Sequence, residues 1–366
     1  MQNQMLSSRQ AIAIIITFLF GNSVVMGLSS KVEQDSWMVA ILGMVFVIPI
    51  IFIYSRIIKL SPEKDLFEII EEVFGKYIGK IFTIIMTWYC IHLGALVMRS
   101  FSEFIKISSL QETPQLPLMI GMALVTAYIA KSGIGTFGKW SVVILPIILL
   151  VVIFSAVLLS DEYDLQKFLP MFEHPMGKIA FESLKVASFP YAETVVFLTI
   201  AGSVKKSDNI YKIYYIAMIF GMMIFLVVML RNISSLGRYM LQATYFPSYV
   251  AARIIHVGDF FSRIESSITI NFIFAGICKI TLCLFGASKG IASLFGIKQY
   301  EKIIIPTGLC ITALSAIIFK DILEMFNFIS IYYIYAIPFQ VITPSFIWIF
   351  SEIKVRKKRL EKQANA

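Results

Sequence analysis

Long uninterrupted runs of apolar residues are the feature that most constrains what this chain can fold into. They are roughly 17–25 residues long, the length an α-helix needs to cross about 30 Å of hydrocarbon. Because lipid offers the backbone no hydrogen-bond partners, only helices and closed barrels can span it, and these runs are too long for barrel strands. The sequence therefore predicts an all-α membrane protein with about ten transmembrane helices.

The composition supports one membrane domain over residues 1–366. The chain is 58% hydrophobic and only 15% charged, whereas about a quarter of the residues of a typical soluble domain are charged. The predicted spans are 9–28, 37–58, 81–98, 116–130, 138–159, 178–202, 211–230, 266–286, 302–319 and 329–350.

The distribution of positive charge predicts the orientation. With the N-terminus in the cytoplasm, about 20 of the 32 lysines and arginines lie on the inner side and about 10 on the outer side. An even number of spans also places both termini on one side, so both are expected to be cytoplasmic. Residues 354–366 then form a basic cytoplasmic tail, interpreted as a topology anchor rather than a lipid-binding segment. Residues 231–265 form a long extracytoplasmic loop, expected to contain short interfacial helices.

Two spans carry residues that interrupt a helix at mid-depth. Gly21, Asn22 and Ser23 lie together in the first span. Their alternative role is tight packing between helices, which also uses small residues. The first span is therefore a candidate broken helix.

The sixth span contains Pro190 within the stretch Ser188-Phe189-Pro190-Tyr191-Ala192-Glu193. Proline removes a backbone donor and clashes with the preceding turn, so the helix is expected to break there rather than merely bend. Ser188 is a candidate cap for the second half-helix, and Glu193 would lie in its first turn.

The two breaks occupy corresponding places in the chain. The first span is the first of a set of five spans, and the sixth span is the first of the next five. The two sets start on opposite sides of the membrane. Paired breaks in inverted halves are typical of secondary transporters, whose ligands bind at the midplane. Half-helix N-termini favour a carboxylate and free carbonyls accept from an ammonium group, so a zwitterionic amino acid suits the predicted site.

Ionisable residues inside the membrane are costly and are candidates for function. Glu193 is expected to meet a ligand ammonium group, to carry a proton, or to pair with Lys185 or Lys279. Lys279 lies in the middle of the eighth span, and its alternatives are a buried pair with Glu193 or a side chain that reaches to the interface.

Motifs typical of enzymes, metal sites and nucleic-acid-binding proteins are absent from the sequence. It contains no nucleophile–base pattern, phosphate-binding glycine loop or metal-ligand spacing, so we expect no enzyme activity, metal or cofactor. Its four cysteines fall in apolar runs and are interpreted as small buried side chains. No basic patch interleaved with aromatic residues indicates a nucleic-acid partner.

Several motifs in order resemble one known family. They are Leu6-Ser7-Ser8-Arg9-Gln10, Gly21, Trp37, the Ser188–Glu193 stretch, and Phe260-Phe261-Ser262-Arg263-Ile264-Glu265. The chain resembles the B subunits of bacterial spore germinant receptors, within the amino acid–polyamine–organocation superfamily. It departs at Ser262, where the family usually has an acidic residue.

The resemblance implies a five-plus-five inverted repeat with broken helices 1 and 6, located in the inner membrane of the spore. It implies partnership with an A subunit and a lipoprotein C subunit, and the sensing of a small nutrient such as an amino acid. Lys279 would stand where coupled relatives bind a cation. The third span would line the site and add Tyr89 and His92. The resulting candidate ligand-binding residues are Gly21, Asn22, Ser23, Tyr89, His92, Ser188, Phe189, Pro190, Tyr191 and Glu193.

Three functions remain open on the sequence alone. The first is a receptor subunit that binds a nutrient and triggers germination. The second is an amino acid–proton symporter that works alone. The third is a structural membrane subunit with a vestigial site.

Overall fold

A computed structural model describes residues 5–21, 26–27, 30–206, 208–254 and 264–364. Its α-helices are α1 (Ser8–Phe20), α2 (Ser36–Leu60), α3 (Leu66–Ser108), α4 (Gln115–Lys131), α5 (Ile134–Leu158), α6 (Met176–Val186), α7 (Ile210–Ala243), α8 (Pro247–Arg253), α9 (Ile264–Phe295), α10 (Ile304–Ile317), α11 (Ile322–Ile337) and α12 (Thr343–Ala364). Short 3₁₀ or π turns lie at Ser30–Asp35, Ser160–Glu162, Leu165–Phe168, Ala187–Tyr191, Ala192–Thr199, Ala201–Ser203, Tyr300–Lys302 and Pro338–Ile342.

Six helical stretches of the described chain are long and apolar enough to cross a membrane. They are Lys31–Leu60, Leu66–Ser108, Ile134–Leu158, Ile210–Ala243, Ile268–Phe295 and Ile322–Glu361. Three shorter apolar helices are α1, α4 and α10. The prediction of an all-helical membrane protein is confirmed.

The helix starts follow from local sequence. Ser7 accepts a hydrogen bond from the backbone of Gln10, whose side chain accepts in return from the Ser7 N–H, which closes a capping box at α1. Asp65 and Glu68 make the same arrangement at α3. A parallel bridge between Leu6 and Val204 holds the start of the chain against the end of the sixth span.

The centre of the bundle is formed by α3 and α9. Phe101 of α3 stacks on Phe272 with 3.9 Å between ring centroids, and it lies directly against Gly276. Thr87 packs in the same way against Gly290. Glycine at these two positions lets the helices approach closely. Lys279 lies between these two glycines on α9 and is therefore fully enclosed.

Two segments and one cysteine differ from expectation. Residues 231–265 begin inside α7, which continues to Ala243 through a break at Gly237, and α8 follows. The described part of 354–366 belongs to α12, because its charged residues continue the helix. Cys310 is exposed, in contrast to the buried position expected, because it lies on the outward face of α10.

Candidate functional site

The first predicted break is present where the glycine lies. α1 ends at Phe20, and Gly21 follows with φ 6° and ψ −123°, outside the helical region. Asn22 and Ser23, expected beside it, fall outside the described residues. The helical run therefore ends inside the predicted span 9–28, at the position predicted from Gly21.

The second break lies at Phe189. α6 ends at Val186, a π turn covers Ala187–Tyr191, and Phe189 is non-helical with φ −121° and ψ 113°. Pro190 has no N–H to continue the helix, which accounts for the interruption. A 3₁₀ segment then begins at Ala192, with Glu193 in its first turn as predicted.

The role predicted for Ser188 as a helix cap is wrong. Its hydroxyl donates to Gln340 Oε1 at 2.8 Å and does not cap the following segment. Because the chain is extended at Phe189, the Ser188 side chain is turned toward the π turn Pro338–Ile342 instead.

A buried ion pair lies between the two breaks. Lys279 Nζ donates to Glu193 Oε2, and the two side chains are 0% and 1% exposed. Of the two partners expected for Glu193, Lys279 is therefore the one observed, while Lys185 pairs with Glu182 at 2.6 Å. A desolvated pair of this kind persists only with close geometry, because each charge alone is costly in the interior.

Two aromatic rings, one beside each break, cover the Lys279 ammonium group. Its Nζ lies 5.1 Å from the ring centroid of Phe18 and 5.2 Å from that of Phe189. Both distances are within the range of cation–π attraction. Phe18 belongs to α1 and Phe189 to the π turn, so the ammonium group contacts both broken helices at once.

A hydrogen-bond network extends from this pair toward α11. The Tyr332 hydroxyl interacts with the Glu193 carboxylate and lies 2.9 Å from the Tyr89 hydroxyl. Gln340 Nε2 donates to the Tyr89 hydroxyl at 2.9 Å and to the Ser188 carbonyl at 3.1 Å. Tyr89 thus belongs to this network, and its role in ligand binding stays a prediction.

Tyr54 of α2 adds a second link. Its hydroxyl lies 2.6 Å from the Gln340 carbonyl oxygen and 3.1 Å from the Ala192 carbonyl oxygen. Both acceptors belong to irregular segments, where backbone carbonyls lack regular helical partners. The hydroxyl therefore joins the broken sixth span to the π turn between α11 and α12.

Two candidate residues lie away from the pair. His92 is in an aromatic group with Trp88, Phe328 and Tyr335, and no described contact joins it to Glu193 or Lys279. Tyr191 points to the opposite side, where its hydroxyl donates to the Ala40 carbonyl oxygen at 3.1 Å. Its ring packs on Phe225 of α7. Tyr191 therefore stabilises the break at Phe189 through these contacts and does not face the Glu193–Lys279 pair.

A cavity of about 170 Å³ leads to the rings that cover the pair. Met26, Gly27 and Lys31 line it on one side, and Phe189 and Tyr332 close its inner end. Phe189 also lies against the Lys279 ammonium group, so one residue borders both this cavity and the ion pair. The cavity therefore adjoins the break in the sixth span.

A larger cavity of about 330 Å³ lies elsewhere and contains several carboxylates. Asp65 there caps α3 and pairs with Lys289 at 3.1 Å. Burial, together with Glu301 and Asp65, raises the pKa of Tyr300 to about 12. Since Asp65 and Lys289 already serve helix capping and an ion pair, the broken helices remain the better ligand site.

Sequence reasoning missed Tyr332, Gln340, Tyr54 and Phe18. Gln340 had a signal of its own, because it is an amide inside the apolar span 329–350, two residues after Pro338. The tyrosines and Phe18 had none, since aromatic residues are common in membrane spans and only the packed structure shows which way they face.

The model of the family described as spore germination protein matches residues 5–323 of the chain. The chain belongs to the spore germination protein family. Spore germination protein KB of Bacillus subtilis (strain 168) is 24% identical over 99% of this chain and 98% of its own length. Putative spore germination protein YfkT of the same organism is 24% identical over 88% of each chain.

Solved transporter structures share the fold of this family member. Mhp1, a nucleobase-cation-symport-1 family transporter in a closed conformation with bromovinylhydantoin bound, superposes with a TM-score of 0.70 at 12% identity, over 94% of this chain and 78% of that one. MhsT in complex with L-phenylalanine gives a TM-score of 0.66 at 11% identity, over 93% and 87%. The chain is thus a germination protein with a transporter-like fold, in a family that does not consist of enzymes.

Proposed function

We propose that this chain is the membrane subunit of a spore germinant receptor, and that it binds a small nutrient, an amino acid being the favoured class, to trigger germination. The observation that carries the proposal is the Glu193–Lys279 pair enclosed between two broken helices. Family membership supports the germination role, and the transporter-like fold supports a ligand site at this depth.

The architecture proposed for this function has ten spans in two inverted sets of five. The first and sixth spans are the broken helices and open the two sets. The charge bias supports a cytoplasmic position for both termini, with 354–366 as a basic tail that continues α12. Residues 231–265, which begin within α7, would then be extracytoplasmic. The chain would lie in the spore inner membrane with A and C subunits as partners.

The contacts suggest how a zwitterion would be held. A ligand ammonium group would compete with Lys279 for the Glu193 carboxylate, because both present the same charge. The carboxylate of the ligand would meet the displaced Lys279 or the backbone N–H groups at the breaks. Binding would therefore release the contacts of Lys279 with Phe18 and Phe189, which join the first and sixth spans.

Signalling requires that the nutrient bind one conformation more tightly than another. The Gln340 and Tyr54 bonds connect the sixth-span break to α2, α3 and the π turn Pro338–Ile342, so a change at Phe189 alters contacts with two helices and this turn. Partner subunits resting on those helices would sense the change.

A thermal-shift screen of amino acids on the purified complex of this chain with its A and C subunits tests the receptor function. We expect at least one amino acid to raise the Tm, and Glu193→Gln to weaken that response while the protein still folds. No stabilisation by any common nutrient would instead favour a structural subunit with a vestigial site.

Amino acid–proton symport is the second candidate, favoured by the fold shared with Mhp1 and MhsT. Lys279 would then take the place of the coupling cation, and Glu193 would carry the proton. Liposomes that contain only this chain distinguish the two functions. Uptake of labelled amino acid driven by a proton gradient supports symport, whereas binding without uptake supports the receptor.

A further inference from the structure

Arg231 is a buried cation without a carboxylate partner in the part of the chain that the structure describes. It lies on α7 and is 4% exposed. Its Nη1 donates to Ser155 Oγ at 2.7 Å, and its Nε and Nη2 donate to Asn232 Oδ1 at 3.2 and 2.9 Å. Both partners are neutral. The charge is therefore hydrogen-bonded and remains electrostatically uncompensated within these contacts.

Two N–H groups of the Arg231 guanidinium are not used by these hydrogen bonds. A guanidinium carries five N–H groups, and the three bonds to Ser155 and Asn232 use three of them. Two remain for another acceptor. Arg231 lines a small cavity of about 20 Å³, large enough for one atom-sized group.

The cavity lies beside the first break. Gly21 lines it, and the same glycine packs against the Lys279 side chain on its other side. Asn271 also lines the cavity, is 7% exposed, and has a side-chain oxygen without a partner among the described residues. Polar groups from α5, α7 and α9 therefore converge on one small space, and Arg231 is the charged side chain among the described residues that line it. Because the free Asn271 oxygen is an acceptor, only the guanidinium group among these lining residues offers this space a positive charge.

We propose that this cavity is a site for a small monovalent anion, held by Arg231 and separate from the Glu193–Lys279 pair. The anion is either a free halide or one carboxylate oxygen of a nutrient that reaches past Gly21. In both cases the two remaining guanidinium donors bind the negative group. The bound anion would compensate a charge that has no carboxylate partner among the described residues.

The test uses the purified full-length chain in detergent, with gluconate as the bulky reference anion at constant ionic strength. Replacing gluconate by chloride or bromide is expected to raise the Tm saturably by about 2–5 °C, because an anion that binds only the folded state stabilises it. Arg231→Gln should abolish the shift. Arg238→Gln is the matched control, because it removes the same charge from the same helix at a partly exposed side chain that contacts Glu173 and Tyr239.

A second arm separates the two sources of the anion. If L-alanine in gluconate raises the Tm while halides have no effect, and Arg231→Gln removes that response, the anion is the nutrient carboxylate. If halides act, and Glu193→Gln retains the halide shift, the anion site stands whether or not the nutrient pocket does.

The proposal is overturned if neither halides nor L-alanine shift the Tm of the wild type, or if Arg231→Gln keeps the full response. Should Arg231→Gln fail to fold, anomalous diffraction from bromide-soaked wild-type crystals decides. A bromide peak within hydrogen-bonding distance of Arg231 supports the site, and its absence at saturating bromide, with no response to L-alanine, refutes it.

Discussion

Gly21 and Lys279 lie so close that a Cβ atom on residue 21 would come within 2.5 Å of Lys279 Cδ. The break in the first span and the charge on α9 therefore share one narrow space. A side chain at position 21 and the observed path of Lys279 are mutually exclusive.

Gly21→Ala is accordingly expected to displace Lys279 and to lower the free energy of unfolding by about 1–3 kcal/mol, as overpacking commonly does. Denaturant titration in detergent measures the change. Gly121→Ala is the matched control, because no atom lies within 4 Å of its Cβ position on α4. That variant should be neutral or stabilised by up to about 1 kcal/mol. Equal losses in the two variants would contradict the close approach.

Lys279→Met is expected to destabilise the protein by about 3–5 kcal/mol, because it leaves the Glu193 carboxylate buried and unpaired. The double variant Lys279→Met/Glu193→Gln should recover much of the loss. A double-mutant cycle on the unfolding free energy measures the coupling. The pair Arg56–Glu352, whose side chains are 32% and 36% exposed, is the control and should show a coupling of about 0–1 kcal/mol. Equal coupling free energies for Glu193–Lys279 and Arg56–Glu352 would show that burial does not strengthen the Glu193–Lys279 pair.

Pro190→Ala restores a backbone donor in the sixth span and is expected to straighten the break at Phe189. Because Phe189 then leaves Lys279, the response of the Tm to a stabilising nutrient should be blunted. Pro49→Ala in α2 is the control, since Pro49 also lies inside a helix but is exposed and outside the network. Full nutrient sensitivity in Pro190→Ala would show that the break is not required.

Gln340→Leu removes the amide that joins Tyr89 to Ser188. We expect a loss of about 1–3 kcal/mol in unfolding free energy, because the half-buried Ser188 hydroxyl and carbonyl lose their partner. Nutrient affinity should fall as well, since the break is no longer held against Tyr89. The exposed Gln299 is the control, and Gln299→Leu should change stability by less than about 0.5 kcal/mol. An unaltered nutrient affinity in Gln340→Leu would show that the hydrogen bonds of Gln340 do not take part in the conformational change.

Much of the helical framework and the main break follow from the sequence. The apolar runs predict the helices because crossing a membrane leaves the backbone few other solutions. Pro190 predicts its break since the ring acts on its own turn, independently of distant residues. Glu193 and Lys279 can be identified as candidate functional residues because charge at mid-membrane is rare. The sequence does not decide between Lys185 and Lys279 as the partner of Glu193.

The directions in which side chains point do not follow from the sequence. Ser188 fits a helix cap by position, yet its hydroxyl bonds to Gln340, which lies far along the chain. His92 lies three residues after Tyr89, but only Tyr89 reaches the Gln340 network. These outcomes depend on the rotation of whole helices about their axes, which packing across the bundle determines.

The Tyr54 hydroxyl has one hydrogen and two carbonyl oxygens within reach, those of Gln340 and Ala192. It donates fully to only one of them at a time. A small displacement of either segment therefore transfers the bond from one acceptor to the other, and the carbonyl that loses it must find water or a ligand. The Tyr54 hydroxyl thereby favours two discrete arrangements, one bonded to Gln340 and one bonded to Ala192, over intermediate positions of the two segments.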